Sequence, residues 1–132
     1  MKSADLPAFI KKLGLDPLHA RGQNFLIDQH VLDDIAAAAD LHPGDNVLEI
    51  GPGPGVLTER LVTAGSRVVA VEIDRRFQTL LTERFTLVIG DIRDFTTRQL
   101  ADFFGSGTQD YKVVANIPYA VTSAIIHFGG KG

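Results

Sequence analysis

Four consecutive residues near the end of the chain carry groups that suit a planar base bearing an amine. Asn116-Ile117-Pro118-Tyr119 follow the apolar run from Tyr111 to Ala115, which predicts a buried strand. The Asn116 amide oxygen and backbone carbonyls can accept hydrogen bonds from an exocyclic N–H, and the Tyr119 ring can stack on a heterocycle. The same residues also suit a plain strand exit, with Pro118 ending the strand pairing. The motif alone leaves both interpretations open.

A glycine-rich motif lies upstream, between a predicted strand and a predicted helix. Glu49-Ile50-Gly51-Pro52-Gly53-Pro54-Gly55 follow the apolar Val47-Leu48 and precede the predicted helix Val56 to Ala64. Gly51, Gly53 and Gly55 permit close approach of backbone to a ligand, and the helix start offers N–H groups. A dinucleotide site requires G-x-G-x-x-G, which this spacing does not match. Because the Glu49 carboxylate repels a pyrophosphate but attracts an ammonium group, the motif favours S-adenosylmethionine over NAD.

Acidic residues end the next two predicted strands. Glu72 and Asp74 lie at the end of the strand Arg67 to Ile73, and Asp91 follows the strand Thr86 to Gly90. Glu72 is preferred as the acceptor of ribose hydroxyls, because Asp74 is well placed to cap the predicted helix Arg75 to Arg84. The Asp91 carboxylate could accept the amino group of the cofactor's adenine. Each acid alone could be a helix cap or a solvated strand end, but a series of polar strand ends indicates a ligand site.

The strands that carry these residues alternate with helices, which predicts one α/β domain with a parallel sheet and right-handed crossovers. A hydrophobic content of 45% over 132 residues supports a sizeable core. Four strand signals are evident, and a single helix is expected after the Asn-Ile-Pro-Tyr motif. The predicted fourth strand, Lys112 to Ala115, would then be an exposed edge prone to self-association.

Taken together, these residues resemble the ribosomal RNA adenine N6,N6-dimethyltransferases, a family related to the macrolide-resistance methylases. The small-subunit branch is the nearer match. The resemblance is carried by Gly22-Gln23-Asn24-Phe25-Leu26, Leu48-Glu49-Ile50-Gly51-Pro52-Gly53, Glu72-Ile73-Asp74, Gly90-Asp91-Ile92 and Asn116-Ile117-Pro118-Tyr119. It implies a Rossmann-like class I methyltransferase fold with strand order 3-2-1-4, incomplete at its C-terminal side. The residues it places around S-adenosylmethionine are Asn24, Leu26, Gly51, Glu72, Asp91 and Asn116.

The resemblance also implies a division of the chain. Residues 1–27 would form an N-terminal arm and cofactor flap, residues 28–128 the S-adenosylmethionine-binding core, and residues 129–132 a tail. Asn24-Phe25-Leu26 could instead be a hydrophobic staple on a helix that begins at Asp28. The family is longer, so its C-terminal strands and its helical RNA-binding domain are expected to be missing here.

The reaction implied is methyl transfer to adenine N6. Asn116 Oδ1 and the Ile117 carbonyl would accept the two N6 protons, while Pro118 shapes the turn and Tyr119 stacks on the base. The partner would be ribosomal RNA of the small subunit, during ribosome biogenesis. Two alternatives stay open: another acceptor, such as a DNA adenine or a protein glutamine, and a non-catalytic fragment that binds the cofactor. A nicotinamide oxidoreductase is disfavoured by Glu49 and the glycine spacing.

The composition of the chain excludes several other classes of site and location. The chain has no cysteine, which excludes disulfides, thiolate metal sites and thiol nucleophiles, and its four scattered histidines do not predict a metal site. No run approaches the ~20 apolar residues of a membrane span, so a cytoplasmic location is expected. The formal net charge of −3 predicts weak RNA binding by this chain alone, despite basic residues at Lys11, Lys12 and Arg21.

Overall fold

The structure is a computed structural model that describes residues 3–4, 33–34, 37–52, 55–78, 84–108, 110–117 and 120–127. Its strands are β1 (Ser3–Ala4), β2 (Asn46–Ile50), β3 (Arg67–Glu72), β4 (Thr86–Ile89), β5 (Asp110–Ile117) and β6 (Ala120–His127). They form one six-stranded sheet in the order β1-β6-β5-β2-β3-β4.

The four strands predicted from the sequence have the predicted arrangement. β2 lies between β3 and β5, β4 lies outside β3, and all three pairings are parallel. The order 3-2-1-4 is therefore confirmed. Near their carboxyl ends, Ile50 pairs with Val71 on one side and with Ala115 on the other. Continuous apolar runs are typical of parallel strands covered on both faces, and this explains why the sequence predicted them well.

The prediction of an exposed fourth strand is wrong. β6 pairs antiparallel with β5 along its whole length, from Asp110 opposite His127 to Ile117 opposite Ala120, and β1 pairs with β6. The segment expected to be a helix is thus a strand, and the premise for self-association through β5 is removed. Its sequence, Ala-Val-Thr-Ser-Ala-Ile-Ile-His, is rich in β-branched residues, which favour strands.

Two α-helices follow strands of the sheet, α1 (Val56–Thr63) after β2 and α2 (Thr97–Asp102) after β4. Short 3-10 helices occupy Arg75–Phe77 and Ile92–Asp94. The predicted helix from Arg75 to Arg84 is described only at its start, where it is a 3-10 helix. Among the described residues no helix is long and apolar enough to cross a membrane.

The core lies on both faces of the sheet. On one face Val47, Val68 and Val114 pack with Leu57 and Leu61 of α1. On the other face the alternate strand residues pack with α2 and the segment after it. The buried residues of this second cluster are Leu48, Ile50, Val69, Val71, Ile92, Leu100, Ala101, Phe104, Tyr111, Val113 and Ala115. Strand alternation therefore puts Glu49 and Glu72 on the α1 face of the sheet.

Candidate functional site

The carboxyl ends of β2, β3 and β4 bring three predicted site residues to one edge of the sheet. The Gly51 amide donates to the Val71 carbonyl at 2.9 Å, and the Gly90 amide donates to the Glu72 carbonyl at 2.8 Å. Gly51, Glu72 and Asp91 therefore follow one another across adjacent strands. On the other side of β2 the backbone of Asn116 comes one residue after Ala115, the partner of Ile50. This is the edge at which open α/β sheets bind ligands.

The glycine-rich turn between β2 and α1 has the backbone that its sequence predicts. Gly51 has φ of 69° and Gly55 has φ of 90°, both in the left-handed region that side chains disfavour. A Cβ at Gly51 would meet no heavy atom of the described residues within 4 Å, so conformation rather than crowding requires the glycine. Gly55 is the N-cap of α1 and provides no side chain to its N–H groups. At Gly51 the turn thus has open space beside the end of β2.

Glu49, two residues before Gly51, is buried against α1. Its side chain is only 1% exposed, and the Thr58 hydroxyl of α1 donates a hydrogen bond to its Oε1. Oε2 has no hydrogen-bond partner among the described residues. Burial raises the pKa of Glu49 to about 8, since the stabilisation by the Thr58 hydrogen bond is outweighed and the nearby Glu72 carboxylate adds to the rise. The raised pKa favours the protonated form of the buried Glu49 carboxyl at neutral pH.

Glu72 and Asp74 are both buried, and the structure separates their roles. The Asp74 side chain caps the 3-10 helix Arg75–Phe77 by accepting from the Arg76 amide at 3.0 Å, and it also forms an ion pair with Arg76. The predicted capping role of Asp74 is confirmed. Glu72 Oε2 accepts from the Asp74 amide at 2.9 Å, which fixes its side chain at the end of β3. Glu72 thus stays the candidate for a ribose.

Asp91 lies at the predicted strand end but is engaged by a residue that the sequence did not single out. It caps Ile92–Asp94 by accepting from the Arg93 amide at 2.9 Å, and Arg93 Nη2 donates to Asp91 Oδ2 at 2.7 Å. The hydrogen bond from the Arg93 side chain lowers the pKa of Asp91, against a smaller opposing effect of burial. Asp91 is therefore a carboxylate that can accept hydrogen bonds but already forms an ion pair with the Arg93 guanidinium.

Two residues of the site were missed by sequence reasoning. Arg93 could have been found from a repeated pattern, since Asp74-Arg75-Arg76 and Asp91-Ile92-Arg93 both place an arginine two residues after a capping aspartate. Thr58 lies three residues before the buried Leu61, a spacing that puts it on the same side of α1. That spacing shows burial but gives no indication of a carboxyl partner.

Several predicted residues lie outside the described part of the chain: Asn24, Leu26, Gly53, Pro118 and Tyr119. Asn116 and Ile117 are described as the backbone of β5 only. The described residues contain no group of three or more His, Cys, Asp or Glu that could hold a metal ion.

Comparison with known proteins gives concordant matches over most of the chain. A family model described as ribosomal RNA adenine dimethylase matches residues 19–128. Ribosomal RNA small subunit methyltransferase A of Moorella thermoacetica is 43% identical over 130 residues, covering 90% of this chain and 45% of that protein. The protein of the same name from Dehalococcoides mccartyi is 45% identical over 111 residues, covering 80% and 37%. The chain thus spans less than half the length of these relatives.

Solved structures agree on the fold. The crystal structure of the 23S rRNA methyltransferase ErmE is 26% identical with a TM-score of 0.51, covering 73% of this chain and 49% of that one. An S-adenosylmethionine-dependent O-methyltransferase from Thermotoga maritima is 17% identical with a TM-score of 0.54, covering 80% and 50%. The second likeness concerns the fold alone, and both support a Rossmann-like methyltransferase architecture.

Proposed function

The chain belongs to the ribosomal RNA adenine dimethylase family, and on that premise we propose that it binds S-adenosylmethionine and takes part in N6,N6-dimethylation of adenines in small-subunit ribosomal RNA. The observation that carries the proposal is the placement of Gly51, Glu72 and Asp91 on three adjacent strand ends. The two curated relatives, both named as small-subunit methyltransferases, support the substrate.

We assign the parts of the cofactor to the described residues as follows. Glu72, fixed by the Asp74 amide, would accept the ribose hydroxyls, and Asp91 would accept the adenine amino group. The buried Oε2 of Glu49 lacks a donor among the described residues, and an ammonium group would supply one. The open space at Gly51 leaves room for the methionine part, and we propose that Gly53 and Gly55 line the same space. The bound cofactor would supply an electrophilic methyl group.

The acceptor side of the site follows from the resemblance and from the position of β5. We place Asn116, Ile117, Pro118 and Tyr119 at the target adenine: Asn116 Oδ1 and the Ile117 carbonyl accept the N6 protons, and Tyr119 stacks on the base. Such stacking is worth about 1–3 kcal/mol per base. The backbone of Asn116 lies one residue beyond the pairing of Ala115 with Ile50, which supports its closeness to the cofactor. Asn24 and Leu26 would form a flap over the cofactor.

Calorimetric titration with S-adenosylhomocysteine tests the cofactor site. Glu72→Gln keeps an oxygen for the Asp74 amide but loses the charge, so it should weaken binding by roughly tenfold or more, since hydrogen bonds to charged groups contribute about 1.5–3 kcal/mol. Asp102→Asn, at an exposed position of α2, is the matched control and should leave binding unchanged. NAD should give no heat of binding. Absence of S-adenosylhomocysteine binding by a chain with native circular dichroism would refute the proposal.

A second candidate is a cofactor-binding fragment that does not complete the reaction. The observation consistent with it is that the matched region covers 45% of the Moorella thermoacetica protein. A methylation assay with small-subunit ribosomal RNA decides between the two. Turnover by the chain supports the enzyme, whereas tight S-adenosylhomocysteine binding without turnover supports the fragment.

A further inference from the structure

The Thr58–Glu49 pair is an unusual arrangement of buried polar groups. Thr58 is fully buried in the first turn of α1, and its hydroxyl donates to one oxygen of Glu49. The second oxygen of Glu49 is also buried, with no hydrogen-bond partner among the described residues. A buried carboxyl in this state must either keep a proton or meet a donor. Thr58 therefore satisfies one oxygen of Glu49 and leaves the other buried without a donor among the described residues.

The charges around Glu49 favour the protonated form until a cation arrives. The ionisable group that acts on it from β3 is Glu72, which repels a second negative charge. On β5 the residue opposite Glu49 is the apolar Val114. On α1 the charged residues Glu59 and Arg60 form ion pairs with Arg84 and Asp33, respectively. None of the described groups that shift the pKa of Glu49 is a cation. Burial raises this pKa to about 8, and the Glu72 carboxylate adds to the rise.

We propose that Thr58 is a positioning residue that holds Glu49 so that its second oxygen receives the ammonium group of the cofactor, and that Glu49 releases its proton to solvent on binding. The inference rests on the proposed function, because the cation is that of the methionine part of the cofactor. The balance is simple: neutral Glu49 and a ligand ammonium give a carboxylate–ammonium pair and one free proton. Binding is thereby linked to pH through a carboxyl buried against α1.

Proton release on binding is measured directly by calorimetry. S-adenosylhomocysteine is titrated at pH 7 in buffers of different ionisation enthalpy, such as phosphate and Tris. The dependence of the heat on the buffer gives the number of protons released, which should be close to one for the unmodified chain. The association constant should rise by up to about tenfold per pH unit below pH 8. Glu49→Gln should release none, and it also corrects for the ionisation of the ligand itself.

A pair of Thr58 variants tests the positioning role. Thr58→Val removes the hydroxyl at nearly constant volume, while Thr58→Ser keeps it. Since the Thr58 hydrogen bond lowers the pKa of Glu49, the valine variant should shift the pH profile of binding to higher pH and weaken binding at pH 7 by about tenfold. Thr58→Ser should have the pH profile and the affinity of the unmodified chain. A merely structural role for Thr58 would weaken binding without moving the profile.

The titration of the Glu49 carboxyl carbon by NMR provides a readout without ligand. Its midpoint should lie near pH 8 in the unmodified chain and higher in Thr58→Val. Binding of S-adenosylhomocysteine without proton release, or an equal release by Glu49→Gln, would overturn this inference and leave the proposed function standing. Failure of the folded chain to bind S-adenosylhomocysteine at all would instead refute the proposed function, and this inference would fall with it.

Discussion

Replacement of Glu49 by glutamine should change how the stability of the ligand-free chain depends on pH. The folded-state pKa of Glu49 is about 8, against 4.5 for the ordinary carboxyl. Between these values the folded chain holds a proton that the unfolded chain has lost, so the free energy of unfolding falls as pH rises. The contribution is complete below about pH 4.5 and is lost as pH rises towards 8. The amide introduced by Glu49→Gln has no proton to lose in this range, so the variant lacks this dependence.

The size of this pH dependence follows from the difference between the folded-state and unfolded-state pKa values of Glu49. Each unit of pKa difference corresponds to about 1.4 kcal/mol. Between pH 5 and pH 8, Glu49 should therefore lower the free energy of unfolding by on the order of 3 kcal/mol, a large part of the ~5–15 kcal/mol stability of an ordinary domain. Because the side chain is 1% exposed, solvent screening does little to reduce it.

The assay is urea denaturation at pH 5, 6, 7 and 8, followed by circular dichroism because the chain has no tryptophan. The difference in unfolding free energy between Glu49→Gln and the unmodified chain should grow steadily in favour of the variant as pH rises. Glu59→Gln is the matched control, at a position of α1 whose side chain is 45% exposed, and its curve should run parallel to that of the unmodified chain. Parallel curves for Glu49→Gln as well would refute the argument that burial keeps Glu49 protonated.

Three further predictions concern neighbouring elements. Arg93→Ala should tighten S-adenosylhomocysteine binding up to about fivefold in calorimetry, because it removes a competitor for the Asp91 carboxylate. Exposed ion pairs of this kind contribute about 0–1 kcal/mol. Weaker binding by the variant would contradict this. Thr96→Ala should cost about 1 kcal/mol in urea denaturation through loss of the capping box of α2. Leu61→Ala should cost about 2–5 kcal/mol, while Val56→Ala, 42% exposed on the same helix, should cost far less; equal losses would show that α1 does not pack as described.

Much of the fold could be predicted because its signals are local. The central parallel strands β2 and β3 are mostly buried and read as largely apolar runs. The glycines of the turn after β2 mark the left-handed backbone at Gly51 and Gly55. The capping role of Asp74 was also readable, since a cap depends on residues within one turn. Strand ends marked by Glu72 and Asp91 then indicated the edge of the sheet where a ligand would bind.

The predictions that were wrong or incomplete depended on contacts between residues distant in the sequence. The β-branched residues of Ala120–His127 favour a strand only weakly, and the pairing with β5 decides that the segment is one. The competition of Arg93 for Asp91 required side-chain geometry as well as sequence spacing. A prediction from sequence could name Asp91 as an acceptor, but it could not show that an arginine already occupies it.

Glu49 shows the difference between what local sequence spacing determines and what contacts in the folded chain determine. The sequence by itself determined that a carboxyl stands directly before a glycine-rich turn, that strands alternate with helices, and that Glu72 and Asp91 end neighbouring strands, because these are properties of local spacing. Only the tertiary structure decided the charge of that carboxyl. Packing of α1 over β2 excludes water from Glu49, brings the Thr58 hydroxyl to one oxygen and sets Glu72 beside it on the next strand. A proton equilibrium depends on solvation and on neighbours in space, and folding supplies both.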